Sequence, residues 1–310
     1  MRRKWFQRDR GDDAMLADLD LKDPVAVRRL FEAGAEACRD AACREGSIEI
    51  IGTPGRLIAT GDLHDNPVHL ARLVAAAGLD GDAPPPDGPH LTLHEIIHSD
   101  RLLNGMDFSY RALARVAALK AASPERVHPL LANHELAQLT GGAVIKDGVR
   151  CVDAFDDALD YQFDDDAPLV RKSIKRFIRS MPLALRCVTP RGDILCAHSL
   201  PGPAMMGRFD PTVLERELTE EDIAPRTGSA HMMVWGRKYD ADQLEDLVER
   251  WGVNLFVLGH EHAPNGVHLV PPNAVVLNSD HERGVYLPID LARKPLAAEA
   301  VAMVVRLSTG

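Results

Sequence analysis

The chain has no long apolar stretch. Its longest apolar runs, such as Val253–Gly259, end far short of the roughly 20 residues that a bilayer-spanning helix needs, so no membrane span is expected. No secretory leader is expected either: the opening MRRKWFQRDR is basic, but no apolar core follows it. Cysteine is sparse. Cys38, Cys43, Cys151, Cys187 and Cys196 are odd in number and lack metal-type pairing, which points to reduced thiols in a cytoplasmic protein. An excess of positive charge is absent too, and the net charge of −10 argues against sequence-independent binding to nucleic acid. No repeat or low-complexity block interrupts the chain. Apolar residues at 45% and charged residues at 26% are the proportions of a globular protein, which excludes a disordered or fibrous one.

Strand and helix signals alternate along most of the length. Asp23-Pro24 opens a helix reaching to about Arg44, with Asp as cap and Pro in the first turn. Further helices are expected from Asn66-Pro67 and over Tyr110–Ala121, Ala154–Asp160, Val170–Arg179 and Ala241–Trp251. Strands are expected over Ile48–Ile51, Leu57–Thr60, Leu91–Leu93, Val127–Ala132 and the pair Leu183–Val188 and Asp193–Ala197. The last third adds Met232–Trp235, Asn254–Leu258, Val275–Asn278, Val285–Ile289 and Val301–Leu307. The stretch Asp80–Pro89, rich in Pro, Gly and Asp, reads as a long loop. This order predicts an α/β sandwich with mixed sheets.

Polar residues gather at the ends of these strands. Gly61-Asp62-Leu63-His64 follows the first strand of the motif region, and Asn133-His134-Glu135 follows Val127–Ala132. His198 ends Asp193–Ala197, and Gly259-His260-Glu261-His262 ends Asn254–Leu258. In open α/β sheets ligands sit beyond the carboxyl ends of strands, so these four tips can converge. Carboxylate and amide oxygens mixed with imidazole suit Mn, Fe, Zn or Mg and not a thiolate site. Each short motif alone arises easily by chance; four strand tips in this order do not.

The ordered set resembles that of the calcineurin-like metallophosphoesterase superfamily, and within it the bacterial phosphoprotein phosphatase-type branch. That signature runs G-D-x-H, a strand-end carboxylate, G-N-H-E/D, a strand-end His, and G-H. His198-Ser-Leu-Pro201 is similar to the branch's H-G-G-x-x-P, and Trp235-Gly236-Arg237 to its W-x-R/D segment. The resemblance covers residues 56–282. It implies one domain over residues 1–310, folded as an αββα sandwich of two mixed β-sheets flanked by helices, with residues 1–50 as an N-terminal helical extension. It further implies two divalent metal ions of open identity. Asp62, His64 and His262 would hold the first, and Asn133, His198 and His260 the second, with Glu95 bridging them. His134 would be the imidazole that protonates the leaving oxygen, and Arg237 and Arg101 would bind phosphate oxygens. The implied reaction is attack of a metal-bridging hydroxide on a phosphate monoester, in a serine/threonine protein phosphatase-like enzyme acting on a phosphoprotein or small phosphoester. A dinucleoside-polyphosphate or nucleotide hydrolase on the same fold is the alternative.

The second motif departs from the pattern. Where the family has G-D-x-V-D-R-G, this chain has His94-Glu95-Ile96-Ile97-His98-Ser99-Asp100-Arg101. With a strand over Leu91–Leu93, Glu95 falls at the bridging position and the Asp-Arg pair comes late. The same segment spells H-E-x-x-H, the zincin motif, which needs both imidazoles on one helix face and Glu as general base. A zinc metallopeptidase is thus a rival, and a non-catalytic binding module on a degenerate phosphatase fold is a third reading.

Overall fold

The computed structural model describes residues 19–81 and 84–308; the opening decapeptide lies outside the described residues. Helix α1 (Pro24–Asp40) begins where the Asp23 carboxylate accepts from the Val25 and Ala26 amides, at 3.2 and 3.1 Å. Strands β1 (Arg44–Glu45), β2 (Ile48–Gly52) and β3 (Arg56–Thr60) follow, then α2 (Pro67–Ala76), β4 (His90–His94), α3 (Tyr110–Ala122) and β5 (Val127–Leu130). The middle holds α4 (Asn133–Thr140), a hairpin of β6 (Ile145–Lys146) and β7 (Val149–Arg150), α5 (Cys151–Phe163) and α6 (Ala167–Ser180). Next come β8 (Ala184–Val188), β9 (Asp193–Ala197), α7 (Ser229–Trp235), α8 (Ala241–Trp251) and β10 (Val253–Leu258). The chain closes with β11 (Val267–Val270), β12 (Ala274–Leu277), β13 (Val285–Asp290), α9 (Ala297–Met303) and β14 (Val305–Arg306).

These strands make a seven-stranded sheet, β1-β2-β8-β9-β10-β12-β11, and a five-stranded sheet, β14-β13-β3-β4-β5. Both are mixed. β9, β10 and β12 run parallel while β8 and β9 are antiparallel, and β3, β4 and β5 run parallel while β13 and β3 are antiparallel. Alternation along each strand sets the layers, because successive side chains point to opposite faces. Leu57, Ala59, Ile194, Cys196, Leu255, Val257, Val275 and Leu277 meet in a core between the sheets. Their neighbours Ile58, Leu195, Phe256 and Val276 point outward into a second core shared with the helices. Strands buried on both faces read as near-continuous apolar runs, which is why β10 and β12 were visible in sequence. The sandwich expected from the motif order is therefore the observed one.

The N-terminal helix belongs to the helical layer. α1 packs on α3 and α6, burying Val27, Phe31, Gly34, Ala35 and Cys38, with the Phe31 ring 5.8 Å from that of Phe177. A buried charge cluster fixes α3 to both sheets: Lys120 Nζ lies 2.6 Å from Glu49 Oε1 on β2, and His128 on β5 bonds the other Glu49 oxygen. All five cysteines are free thiols.

Two expected strands are helical. Met232–Trp235 belongs to α7, where Ala230, Met232, Met233 and Val234 are all buried. A short apolar run buried on every side has no diagnostic period, so strand and helix look alike in sequence. Val301–Leu307 divides into the end of α9 and the short β14. The run of alanines favours helix, and Glu299 Oε2 caps it by accepting from the Leu296 amide at 2.8 Å.

The two sheets meet just past β3. At Gly61, a Cβ would lie 1.8 Å from the Leu277 carbonyl oxygen at the end of β12. Only a residue without a side chain lets Asp62 pair, bridge-fashion, with both His94 and Asn278. Gly61→Ala is expected to destabilise by about 3 kcal/mol or more, whereas Gly207→Ala, with open space around the new methyl, is expected to stay within about 0.5 kcal/mol of the parent. Urea unfolding of both variants measures the difference.

Candidate metal centre

Five strand ends meet at one edge of the sandwich. Asp62 and His64 follow β3, Glu95 follows β4, Asn133 and His134 open α4 after β5, His198 follows β9, and His260 follows β10. The Asp62 carboxylate accepts from the His260 backbone amide, at 2.8 Å to Oδ1 and 3.0 Å to Oδ2. Glu95 sits in the middle. Its Oε1 lies 3.4 Å from His64 Nε2 and 3.3 Å from His134 Nε2, while its Oε2 lies 3.2 Å from His198 Nε2. His198 Nε2 also faces Asn133 Oδ1 at 2.7 Å and His260 Nδ1 at 3.0 Å. Three groups of clustered ligand atoms result: Asp62 with His94 and His198, His64 with Glu95 and His134, and Glu95 with His198 and His260.

His262 is not among them. It is exposed, with its ring 6.2 Å from that of His281. The reason is local: His260 adopts a left-handed φ of 67°, and the Glu261 amide turns back to the Gly259 carbonyl at 2.8 Å. That turn ends the strand alternation that would have placed residues 260 and 262 on one side. Arg101 and Arg237 stand at the rim. Arg101 donates to the His64 and Asp65 carbonyls, and Arg237 Nη1 donates to the His260 carbonyl at 2.8 Å.

The zincin reading falls here. His94 ends β4, and Glu95 and His98 both have left-handed φ, 48° and 60°, in the irregular segment that follows. No helix carries the two imidazoles on a common face. Each braces a different neighbour. His94 Nε2 donates to the Thr60 carbonyl at 2.8 Å, so its Nδ1 lone pair meets His198 Nδ1 at 3.1 Å. A Cβ on Gly259 would strike His94 Cε1 at 2.5 Å and Asp62 Oδ1 at 2.3 Å, so glycine there makes room for both.

A family model described as calcineurin-like phosphoesterase matches residues 55–264. The chain belongs to the calcineurin-like phosphoesterase family. As a member it is a hydrolase of phosphoric esters. Among solved structures, this phosphoesterase resembles a protein serine/threonine phosphatase from Saccharomyces cerevisiae, with a TM-score of 0.66 at 16% identity over 89% of this chain and 87% of that one. It also resembles a cold-active protein-tyrosine phosphatase of a psychrophilic Shewanella species, with a TM-score of 0.56 at 13% identity over 83% and 82% of the two chains. At such identities the likeness is one of fold. No curated protein sequence matches it. Among the described residues, no helix of the phosphoesterase is long and apolar enough to cross a membrane.

The donor set fits divalent cations. With His198 Nδ1–H committed to the lone pair of His94, its Nε2 is an acceptor crowded by the oxygens of Asn133 and Glu95. Acceptors so close repel unless a shared proton or a cation sits among them. Glu95 Oε2 and His260 Nε2 are accordingly buried without a hydrogen-bond partner. Burial sets the protonation of the metal-free site. It pushes the Asp62 carboxyl up to about 7, raises Glu95 well above the usual range together with the charge of Asp62, and holds His94 near 4 and His260 near 3. The imidazoles are thus neutral, the form that binds metal. The backbone is strained to match: His64, Asp65, Glu95, His98 and His260 all have φ between 41° and 67°, at a cost of about 1–3 kcal/mol for each such residue.

Two contributors escaped the sequence reading. The buried Glu135 accepts from the Ile96 and Ile97 amides at 2.7 and 3.2 Å, pinning the loop that carries Glu95. Its place in Asn133-His134-Glu135 was the signal. Lys146, 3.2 Å from Asp100 on the β6–β7 hairpin, brings a positive charge that bears on His64, Glu95, His98 and His134. A lone Lys at the end of a two-residue strand gave no signal.

The Asp62 carboxyl, at 3.8 ordinarily and about 7 when buried, favours its neutral form in the fold. Metal-free protein therefore loses this contribution to stability as pH rises from 3.8 to about 7, and a cation restores it by pairing with the charged form. The rise in Tm on adding Mn²⁺ to chelator-stripped protein is expected to be larger at pH 8 than at pH 5.5. Equal shifts at both pH values would show that Asp62 is not a ligand. Glu135→Ala, which leaves two buried amides unpaired, is expected to lower stability by about 2 kcal/mol or more and to weaken metal retention. Urea unfolding and metal analysis check both.

Proposed function

We propose that the protein is a dinuclear metal-dependent phosphoesterase that hydrolyses phosphate monoesters, with a phosphoprotein phosphatase-like substrate preference. The observation that carries this reading is Glu95, whose two carboxylate oxygens face different sets of ligand atoms, Oε1 towards His64 and Oε2 towards His198. A carboxylate so placed is suited to bridge two cations. Asp62, His64 and Glu95 would hold one cation, and Glu95, Asn133, His198 and His260 the other. Bound there, two divalent cations would neutralise phosphoryl oxygens and lower the pKa of a water.

The chain's own groups do the rest. His134 faces the site through Nε2 and is the group placed to protonate the leaving oxygen, a contribution of typically about 10²–10⁴-fold. Arg237 and Arg101 have guanidinium N–H groups at the rim, suited to bidentate contact with phosphate oxygens, and Lys146 adds a third cation there. Their backbone contacts to the His260 and His64 loops fix the guanidinium planes relative to the ligand residues. The zinc metallopeptidase reading loses its structural basis with the absence of the helix. The likeness in fold to a protein serine/threonine phosphatase and a protein-tyrosine phosphatase favours phosphoprotein over dinucleoside-polyphosphate hydrolysis.

Protein prepared without chelator is expected to contain about two metals per chain and to hydrolyse p-nitrophenyl phosphate in a metal-dependent way. Asp62→Asn is expected to lose metal and turnover together. His134→Ala is expected to keep metal and lose turnover by about 10²-fold or more on a phosphoserine peptide. Faster turnover of a dinucleoside polyphosphate than of phosphopeptides would favour the alternative substrate. One tightly bound zinc without phosphatase activity would overturn the reading.

A further inference from the structure

His98 lies outside every ligand group, yet it is buried and both its ring nitrogens are engaged. Its Nδ1 is 3.0 Å from His134 Nδ1, and its Nε2 is 3.0 Å from Gln138 Oε1. His134 and Gln138 are one turn apart on α4, so their side chains lie on the same helix face and a single imidazole spans both. Phe155 closes the far side, its ring 6.0 Å from that of His98 and edge-to-face. Behind Gln138, its Nε2 donates to Asp156 Oδ1 at 3.0 Å, and Asp156 Oδ1 accepts from Arg171 Nε at 3.0 Å.

The donors and acceptors in this line admit one assignment. The Asp156 carboxylate, paired with Arg171, can only accept, so it takes the Gln138 amide hydrogen and turns the Gln138 carbonyl to His98. That carbonyl also only accepts, so the hydrogen of His98 is on Nε2. A neutral His98 then offers a lone pair at Nδ1, and His134 must present Nδ1–H to it. His134 is left with Nε2 as the atom that faces Glu95, at 3.3 Å, and the site; as the acid it carries a second proton on Nε2, which goes to the leaving oxygen while Nδ1–H stays on His98 and the ring returns to this neutral tautomer.

We propose that His98, held by Gln138 and Asp156, is the positioning residue for His134: the line Asp156–Gln138–His98 fixes the tautomer and ring plane of the general acid. This rests on the reading of His134 as the acid, and it explains both the second histidine of His94-Glu95-x-x-His98 and the Gln at position 138. A neutral imidazole orients His134 without placing a further negative charge beside Glu95 and Asp62.

The test separates acid catalysis from the rest of turnover by the leaving group. An aryl ester such as p-nitrophenyl phosphate leaves as a stable anion and needs little protonation, whereas an alkyl ester such as phosphoserine in a peptide needs it. In metal-loaded His98→Leu, kcat on the phosphoserine peptide is expected to fall by about 10²-fold. On p-nitrophenyl phosphate it should fall less than about 5-fold, with KM and metal content unchanged on both. His98→Asn, which can return a carbonyl oxygen to His134, is expected to recover most of the loss. Gln138→Leu, remote from the ligands, should show the same selectivity at about 10-fold, and serves if His98→Leu does not fold. In metal-free protein, the imidazole ¹⁵N spectrum should show His134 protonated at Nδ1 in the parent and a tautomer mixture in His98→Leu. Equal losses on both esters, or none on either, would overturn the proposal. His134→Ala is run alongside. If it shows no leaving-group selectivity, the acid reading itself fails; if it does and the His98 and Gln138 variants do not, only the positioning line fails.

Discussion

Asp62 joins the two sheets at the point where the site is built. Its backbone pairs with His94 at the end of β4 and with Asn278 beyond β12, its carbonyl accepts from the Ser279 amide at 3.0 Å, and its carboxylate holds the His260 amide. One residue thus references strand ends from both halves of the sandwich to each other. Gly61 makes the approach sterically possible, and the Ser279 hydroxyl accepts from the Gly61 amide at 2.9 Å. The other residues of the cluster are set relative to this junction.

The junction is costly on its own. Asp62, Glu95 and Glu135 are buried carboxyls whose charged forms burial opposes, and five nearby residues hold left-handed backbone. Such features persist where the surroundings over-determine them. Here the surroundings are the core between the sheets, the helical layer beneath α4, and hydrogen bonds from Glu135 to the loop after Glu95. The balance that the fold leaves open is the charge of the ligands themselves, which divalent cations would supply.

A second principle is that the imidazoles act in pairs. His94 gives His198 a lone pair and so aims the other nitrogen of His198 at Asn133 and Glu95. His98 stands to His134 in the same way. In both pairs the outer ring is fixed by a carbonyl, that of Thr60 or of Gln138, so the tautomers follow from groups that can only accept. Of the two histidines of the H-E-x-x-H string, His94 ends β4 and His98 stands on the irregular loop after it, so no helix carries them.

How much of this was legible in the sequence follows from the range of each interaction. Strand tips carrying Asp62, His64, Asn133, His198 and His260 could be read because apolar runs buried on both faces mark the strands, and ligands must stand at their carboxyl ends. The layered fold was legible for the same reason. Glu95 could be placed by counting from the end of β4. The helical α7 and α9 were misread because a short apolar run, or an alanine-rich one, has no period that separates strand from helix. His262, which the resemblance grouped with Asp62 and His64, stands apart from the cluster because the backbone leaves the extended region at His260. Lys146 with Asp100, and His98 with His134 and Gln138, join residues more than 30 positions apart, so only the packing of the β6–β7 hairpin and of α4 against the loop after β4 could decide them. The sequence by itself determined which chemistry is present and at which strand ends. The tertiary structure decided which nitrogen of each imidazole faces the centre, because a tautomer is set by contacts across elements and not by neighbours along the chain.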